Sequence, residues 1–262
     1  MRVSFSIAAT VVLSFVATAQ VSYADEMDDI LKRGELRVAV QTQGPPVSFV
    51  DKHGERTGLA VELVGMMAKD LGVKLVLQDY DFKGMIPALL SGKVDMIAGN
   101  ITPTAQRAAQ MLFSRPIFYQ STVLVVGKDA AVQSWQDADK AGFTIGATQA
   151  STFATAVKMQ LPKATLKEFA STPAGAQALS TGRIDGLIGD IGNVTNLIRE
   201  FGNLKMAEGI LNREPLAFGV QANAFHLKMW MDNYVELIEQ DHRLEAKIKY
   251  WWTSPDWEKD HK

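Results

Sequence analysis

Arg107 is the residue whose type and position say most about chemistry. Thr104 is a good helix N-cap, and Thr104 to Leu112 reads as a helix, which places Arg107 in the first turn. A cation there opposes the helix dipole. Free backbone N–H groups and a guanidinium together, however, make a site for a carboxylate or a phosphate. The alternative is a surface arginine paired with a local acid. Ser151 and Thr152 offer a similar device further along, at the start of a helix running through Phe153 and Val157. They read equally well as plain N-capping residues, and both roles can hold together. Phe82, after Asp79-Tyr80-Asp81 and before Gly84, is either a ring facing a ligand or a core phenylalanine.

Other chemistries lack their residues. The four histidines, His53, His226, His242 and His261, are scattered without metal-ligand spacing, and the chain has no cysteine to complete a zinc set. No metal and no cofactor is expected. Ser/His/Asp or Cys/His catalysis has no recognisable motif, so no catalytic residue is assigned. A net charge of −2, with both signs spread along the chain, argues against nucleic acid and against an electrostatic membrane surface as partners.

The elements that must position these residues come from a repeat. Gly34 introduces an alternating strand, Glu35 to Val40; Gly58 opens a helix through Leu59, Leu63, Met66, Met67 and Leu71; Lys74 to Leu77 returns as strand. That is the βαβ rhythm of an α/β domain with a largely parallel sheet. Ala88-Leu-Leu-Ser-Gly-Lys-Val-Asp-Met-Ile-Ala-Gly-Asn100 aligns without gaps on Ala178-Leu-Ser-Thr-Gly-Arg-Ile-Asp-Gly-Leu-Ile-Gly-Asp190, 90 residues on. Each copy reads as a helix closed by a glycine, Gly92 or Gly182, followed by a buried strand. Gly34 to Val40 and Gly142 to Ala147 are candidate first strands of the two units. The expected fold is therefore α/β, two similar lobes joined by a two-strand hinge, Ser121 to Val126 and Leu216 to Val220. Lobe one covers 25–125 plus 215–262, and lobe two covers 126–214. A helix from Leu227 to Gln240 should pack back onto lobe one.

Ligands of open α/β sheets sit beyond the carboxyl ends of strands. Asn100 and Asp190 end the two repeat strands, so each lobe would offer one polar group to a shared cleft. Asp190 there is either a turn-former or a charge meant for a partner.

Residues 1–24 read as an address. Arg2 is followed by an almost wholly apolar run from Val3 to Val16, and Ser22-Tyr23-Ala24 gives small residues at −3 and −1. The run is shorter than the roughly 20 residues of a spanning helix. Cleavage after Ala24 and export to the periplasm are the expectation.

Taken in order, several motifs resemble the polar amino acid-binding proteins of ABC importers, solute-binding protein family 3, over essentially the whole chain after Ala24. They are Gly34-Glu-Leu-Arg-Val-Ala-Val, Gly58-Leu-Ala-Val-Glu-Leu, Phe82-Lys-Gly-Met-Ile-Pro-Ala-Leu-Leu-Ser-Gly-Lys-Val-Asp95, Ile101-Thr-Pro-Thr-Ala-Gln-Arg107 and Phe113-Ser-Arg-Pro116. The resemblance implies a type II periplasmic binding protein fold that closes around its ligand. It implies a monomer that captures a small amino acid-like molecule and hands it to the membrane permease of an ABC importer. It makes Arg107 the clamp on the ligand α-carboxylate, assisted by Thr102, with Ser151 and Thr152 approaching from lobe two. Asp190 and the Asn100 carbonyl would receive the α-ammonium, and Phe82 would cover the ligand side chain. Three departures stand out. Gly44 replaces a second aromatic, Gln41 stands where binders of cationic amino acids often carry an acid, and Ala150 replaces the glycine before Ser151. The rival function on this fold is a cyclohexadienyl or arogenate dehydratase. That enzyme would need a glutamate shortly after the cleft aspartate, and here Asp190-Ile191-Gly192-Asn193 carries none.

Overall fold

The charged segment after Ala24 folds as a helix, α1 (Glu26–Arg33). The Asp25 side chain accepts from Met27 N–H at 3.0 Å, acids fill the first turn, and Gly34 closes the last turn at φ 69°. The computed structural model describes residues 25–42 and 44–262. The reading of residues 1–24 as a signal peptide lies outside the described residues.

After α1 the chain runs through β1 (Glu35–Val40), a small hairpin of β2 (Phe49–Val50) and β3 (Arg56–Thr57), and α2 (Leu59–Leu71). β4 (Lys74–Asp79), α3 (Phe82–Leu90), β5 (Met96–Ile101), α4 (Ala105–Ala108) and β6 (Met111–Phe113) follow. β7 (Phe118–Gly127) leads into the second lobe: β8 (Thr144–Thr148), α5 (Thr152–Gln160), β9 (Thr165–Phe169), α6 (Thr172–Ser180), β10 (Gly186–Asp190), α7 (Ile191–Phe201) and β11 (Leu204–Met206). β12 (Asn212–Gln221) returns, and α8 (Phe225–Gln240), α9 (Arg243–Ile248), a π-helical turn (Lys249–Thr253) and α10 (Asp256–His261) complete the chain.

Strand order across the large sheet is β4-β1-β5-β12-β7-β10-β8-β9. β1 pairs in parallel with β4 and β5, and β8 pairs in parallel with β9 and β10, so the two lobes share one strand-helix-strand plan. The sequence repeat is thus a structural one. Gly92 and Gly182 follow α3 and α6 at φ 70° and 68°, a left-handed turn that costs glycine nothing. The aspartate common to both copies has a local duty. Asp95 accepts from Arg37 N–H at 2.7 Å, and Asp185 accepts from Thr144 N–H at 2.8 Å, each at the neighbouring parallel strand.

Alternation along the strands sends side chains to both faces of each sheet. Val38 and Met96 join a core with α2, α8 and the C-terminal tryptophans Trp251 and Trp257, while Ala39 and Ile97 face α3 with Met85 and Leu89. In lobe two Ile188 and Leu124 pack with Phe153 and Val157, while Leu187 and Val123 pack with Ala176 and Val194. Helices on both faces are what parallel strands require. α8 contributes Leu227, Met231, Tyr234 and Ile238 to the lobe-one core, as its spacing implies.

Between the lobes run β7 and β12, paired antiparallel from Asn212↔Thr122 to Leu216↔Phe118. Both strands are longer than the apolar runs from which they were read, because polar residues continue the ladder at the crossing. The expected helix Thr104 to Leu112 is a single turn. Gln110 leaves it, and Met111 to Phe113 pair with Gly219 to Gln221 of β12, so edge pairing stops the helix.

Candidate functional site

Each polar residue of the cleft is delivered by the end of an element. Thr104 caps α4 through a bond from Arg107 N–H at 3.2 Å, which turns the Arg107 side chain inward. Its guanidinium is buried, donating from Nη1 to the Thr102 carbonyl at 2.9 Å and from Nη2 to the Ala150 carbonyl at 3.0 Å. The second bond crosses from lobe one to lobe two. The guanidinium also lies over the Phe82 ring, 5.3 Å from its centroid. Burial pulls the Arg107 pKa below its ordinary value, and the negative charge of Glu214 opposes that pull.

On the other side Ser151 caps α5, its Oγ accepting from Ala154 N–H at 3.3 Å while donating to the Thr148 carbonyl at 2.6 Å. Ala150, just before it, holds φ 57°, the left-handed conformation for which glycine is the easier residue. Gly44 holds φ 103°, a conformation that suits glycine, and a Cβ there would lie 3.8 Å from Asn193 Nδ2 of α7.

Asp190 is a capping residue that also stands in the cavity wall. It ends β10 and caps α7, accepting from Asn193 N–H at 2.8 Å, and it also lines the cleft. It is 3 % exposed. Burial pushes its carboxyl up to about 6, against the lowering pull of the N–H groups of Asn193 and Gly192.

These elements enclose a small cavity between the lobes, lined by Phe82, Asn100, Gln120, Thr148, Ser151, Thr152, Phe153 and Asp190. Its free volume is about 10 Å³, room for about one water, so a molecule of amino-acid size enters only when the lobes part. Asn100 Nδ2 and Gln120 Oε1 are buried there without a hydrogen-bond partner, each a cost that an incoming polar group would relieve. Of the residues expected from sequence, Phe82, Asn100, Asp190, Ser151 and Thr152 line this cavity. Arg107 and Thr102 stand behind its wall. Gln41 instead borders an adjoining outer pocket with Thr42, Asp79 and Ser171, its amide donating to the Ala170 carbonyl at 3.4 Å. Asn100 is the penultimate residue of its strand and holds φ 53°.

One cavity residue, Gln120, and the buried acid opposite it, Glu214, were not singled out from sequence. Gln120 of β7 and Glu214 of β12 are directly opposed across the antiparallel pair, so their side chains share a face. Both are buried. The available signal was phase: Glu214 alternates with Leu216 and Phe218, and Gln120 with Thr122 and Leu124, which places these polar groups on inward-facing positions. A larger open groove of about 430 Å³ lies outside the cleft, where Trp252 packs on Gly192 of α7 and Arg199 pairs with Glu258 at 2.5 Å.

The chain is similar to known proteins over most of its length. Residues 36–254 match the bacterial extracellular solute-binding proteins, family 3. The L-cystine-binding protein of Escherichia coli is 23 % identical over 235 residues, 88 % of this chain and 88 % of that protein. Among solved structures, an ancestral amino acid-binding protein described as a precursor of cyclohexadienyl dehydratase superposes with a TM-score of 0.81. It shares 29 % identity over 87 % of this chain and 99 % of its own. A binding component of an ABC transporter from Wolinella succinogenes, complexed with lysine, superposes with a TM-score of 0.80 at 27 % identity. There the match covers 87 % and 99 % of the two chains.

Proposed function

We infer the function from one premise: the chain belongs to the bacterial extracellular solute-binding proteins, family 3. It captures a small amino acid-like molecule between its lobes, 25–125 plus 215–262 and 126–214, and delivers it as a monomer to the membrane permease of an ABC importer. The observation that carries this reading is a buried carboxylate, Asp190, facing the same cavity as the unpaired Asn100 Nδ2 and Gln120 Oε1. A buried anion beside the open acceptor Gln120 Oε1 suits a ligand ammonium, while the open donor Asn100 Nδ2 suits an oxygen of the ligand. Arg107, across the Phe82 ring, supplies the cation for the opposite end of a zwitterion, with Thr102, Ser151 and Thr152 around it. The lysine complexed in one structural relative and the L-cystine named for another support a polar α-amino acid. Gln41 offers no acid to a second cationic group, which weighs against lysine itself.

The chain acts by binding rather than by catalysis, since Asp190 is the one acid at the cavity wall among the described residues. Export with Asp25 as the mature N-terminus places it in the periplasm. No helix among the described residues is long and apolar enough to cross a membrane.

The test is a thermal-shift screen of the purified protein against the common amino acids. A ligand that binds only the folded chain stabilises it by about 2.7 kcal/mol at a hundredfold excess over Kd, a shift of several degrees. The α-amide and the decarboxylated amine of the responding amino acid should give no shift. Equal response to the amide removes Arg107 as a carboxylate reader, and dehydration of arogenate by the chain would replace the reading with the enzymatic one.

A further inference from the structure

Glu214 is a buried acid for which ligand capture has no evident use. It lies on β12 at the crossing, 6 % exposed. Its Oε2 accepts from Thr102 Oγ1 at 2.9 Å and from Thr152 Oγ1 at 2.6 Å, and its Oε1 accepts from Asn212 Nδ2 at 2.9 Å. Thr102 follows β5 of lobe one, and Thr152 opens α5 of lobe two. One carboxylate oxygen therefore joins the two lobes. The Arg107 bond to the Ala150 carbonyl spans the same divide beside it, and Glu214 is the negative charge that the buried guanidinium feels.

All of these bonds are made by the chain to itself. Hydrogen bonds to an ionised acceptor are about twice as strong as neutral ones, and a buried guanidinium without a counter-charge is costly. Opening the lobes breaks the Thr152 and Ala150 bonds together. A hydroxyl also has a single proton. With both given to Glu214, the Thr102 and Thr152 hydroxyls can accept from a ligand but have none left for its carboxylate.

We propose that Glu214 is an internal counter-ion and latch: it balances Arg107 and ties Thr102 to Thr152, and so holds a closed population without ligand. The place of a ligand carboxylate rests on the binding reading above; the latch does not. A ligand carboxylate is then received by the remaining Arg107 N–H donors and backbone N–H groups, and the threonine hydroxyls serve closure.

The experiment uses no ligand. The chain has no cysteine, so Lys83→Cys and Glu168→Cys, exposed positions on the two lobes, take a pair of spin labels whose distance distribution reports closure. The labelled protein should show a short-distance population. Glu214→Gln should lower the closed-to-open ratio about tenfold. Thr152→Val, which removes only the lobe-two hydroxyl, should lower it by a smaller factor. Were Glu214→Gln not to fold, Thr152→Val decides alone. A single long distance in the parent protein overturns the proposal, as does a distribution that neither variant changes. Failure of every amino acid in the ligand screen would leave this result standing, and the reverse also holds.

Discussion

Replacing Asp190 by asparagine separates the charge of this residue from its capping bond. Its carboxyl sits at about 6 in the folded protein against an ordinary value of 3.8, which corresponds to about 3 kcal/mol at 1.36 kcal/mol per unit. The folded state therefore prefers the protonated acid. The associated stability is fully present below pH 3.8 and is lost as pH rises through about 6. Asparagine keeps an oxygen for Asn193 N–H and is as good an N-cap as aspartate. Ligand-free Asp190→Asn should match the parent in stability near pH 4 and exceed it at pH 7, by up to about 3 kcal/mol. Binding of an ammonium works in the opposite direction, because it selects the ionised acid. Parent affinity should weaken about tenfold between pH 8 and pH 5, since only about one molecule in ten carries ionised Asp190 at the lower pH. In Asp190→Asn the pH dependence should vanish, and affinity at pH 8 should fall roughly 30-fold or more, the cost of about 2 to 5 kcal/mol for unpairing a buried charge. Calorimetric titrations at both pH values, paired with urea melts without ligand, read all four quantities. A pH-independent parent affinity, or a variant less stable than the parent at both pH values, would refute the assignment and leave Asp190 as a cap alone.

Arg107→Lys should bind at least tenfold more weakly in calorimetry, because an ammonium cannot serve the Thr102 and Ala150 carbonyls and a carboxylate in one plane. Ala150→Gly should raise the urea-melt stability by about 1 kcal/mol, since the residue holds φ 57° and glycine adopts that conformation without a Cβ penalty; an unchanged midpoint would mean that the loop relaxes around alanine. Gly192→Ala should weaken ligand binding about tenfold with little change in the ligand-free melting temperature. A Cβ there would lie 2.7 Å from the Trp252 ring, and that contact joins α7 to the C-terminal turn across the lobes.

Much of this protein could be read from local pattern. The duplicated helix-glycine-strand segment fixed the two-lobe plan, because a helix closed by Gly92 or Gly182 and followed by an apolar run allows few other packings. Arg107, Ser151 and Asp190 were legible because the ends of helices and strands are marked by capping residues, and those ends are where α/β lobes present groups to a cleft. The extent of the Arg107 helix was not legible, since its end is set by Met111 to Phe113 pairing with β12, more than a hundred residues on. Whether Asp190 capped a helix or faced a partner was also beyond the sequence, as both need the same residue at the same place. The fold places it as the cap of α7 and in the cavity wall at once, and burial raises its pKa. Gln120 reaches the cavity with Glu214 beside it only through the antiparallel register that sets them opposite each other. The strand period shows which way each side chain points, but not what stands across from it, because cross-strand neighbours are chosen by how the whole chain folds.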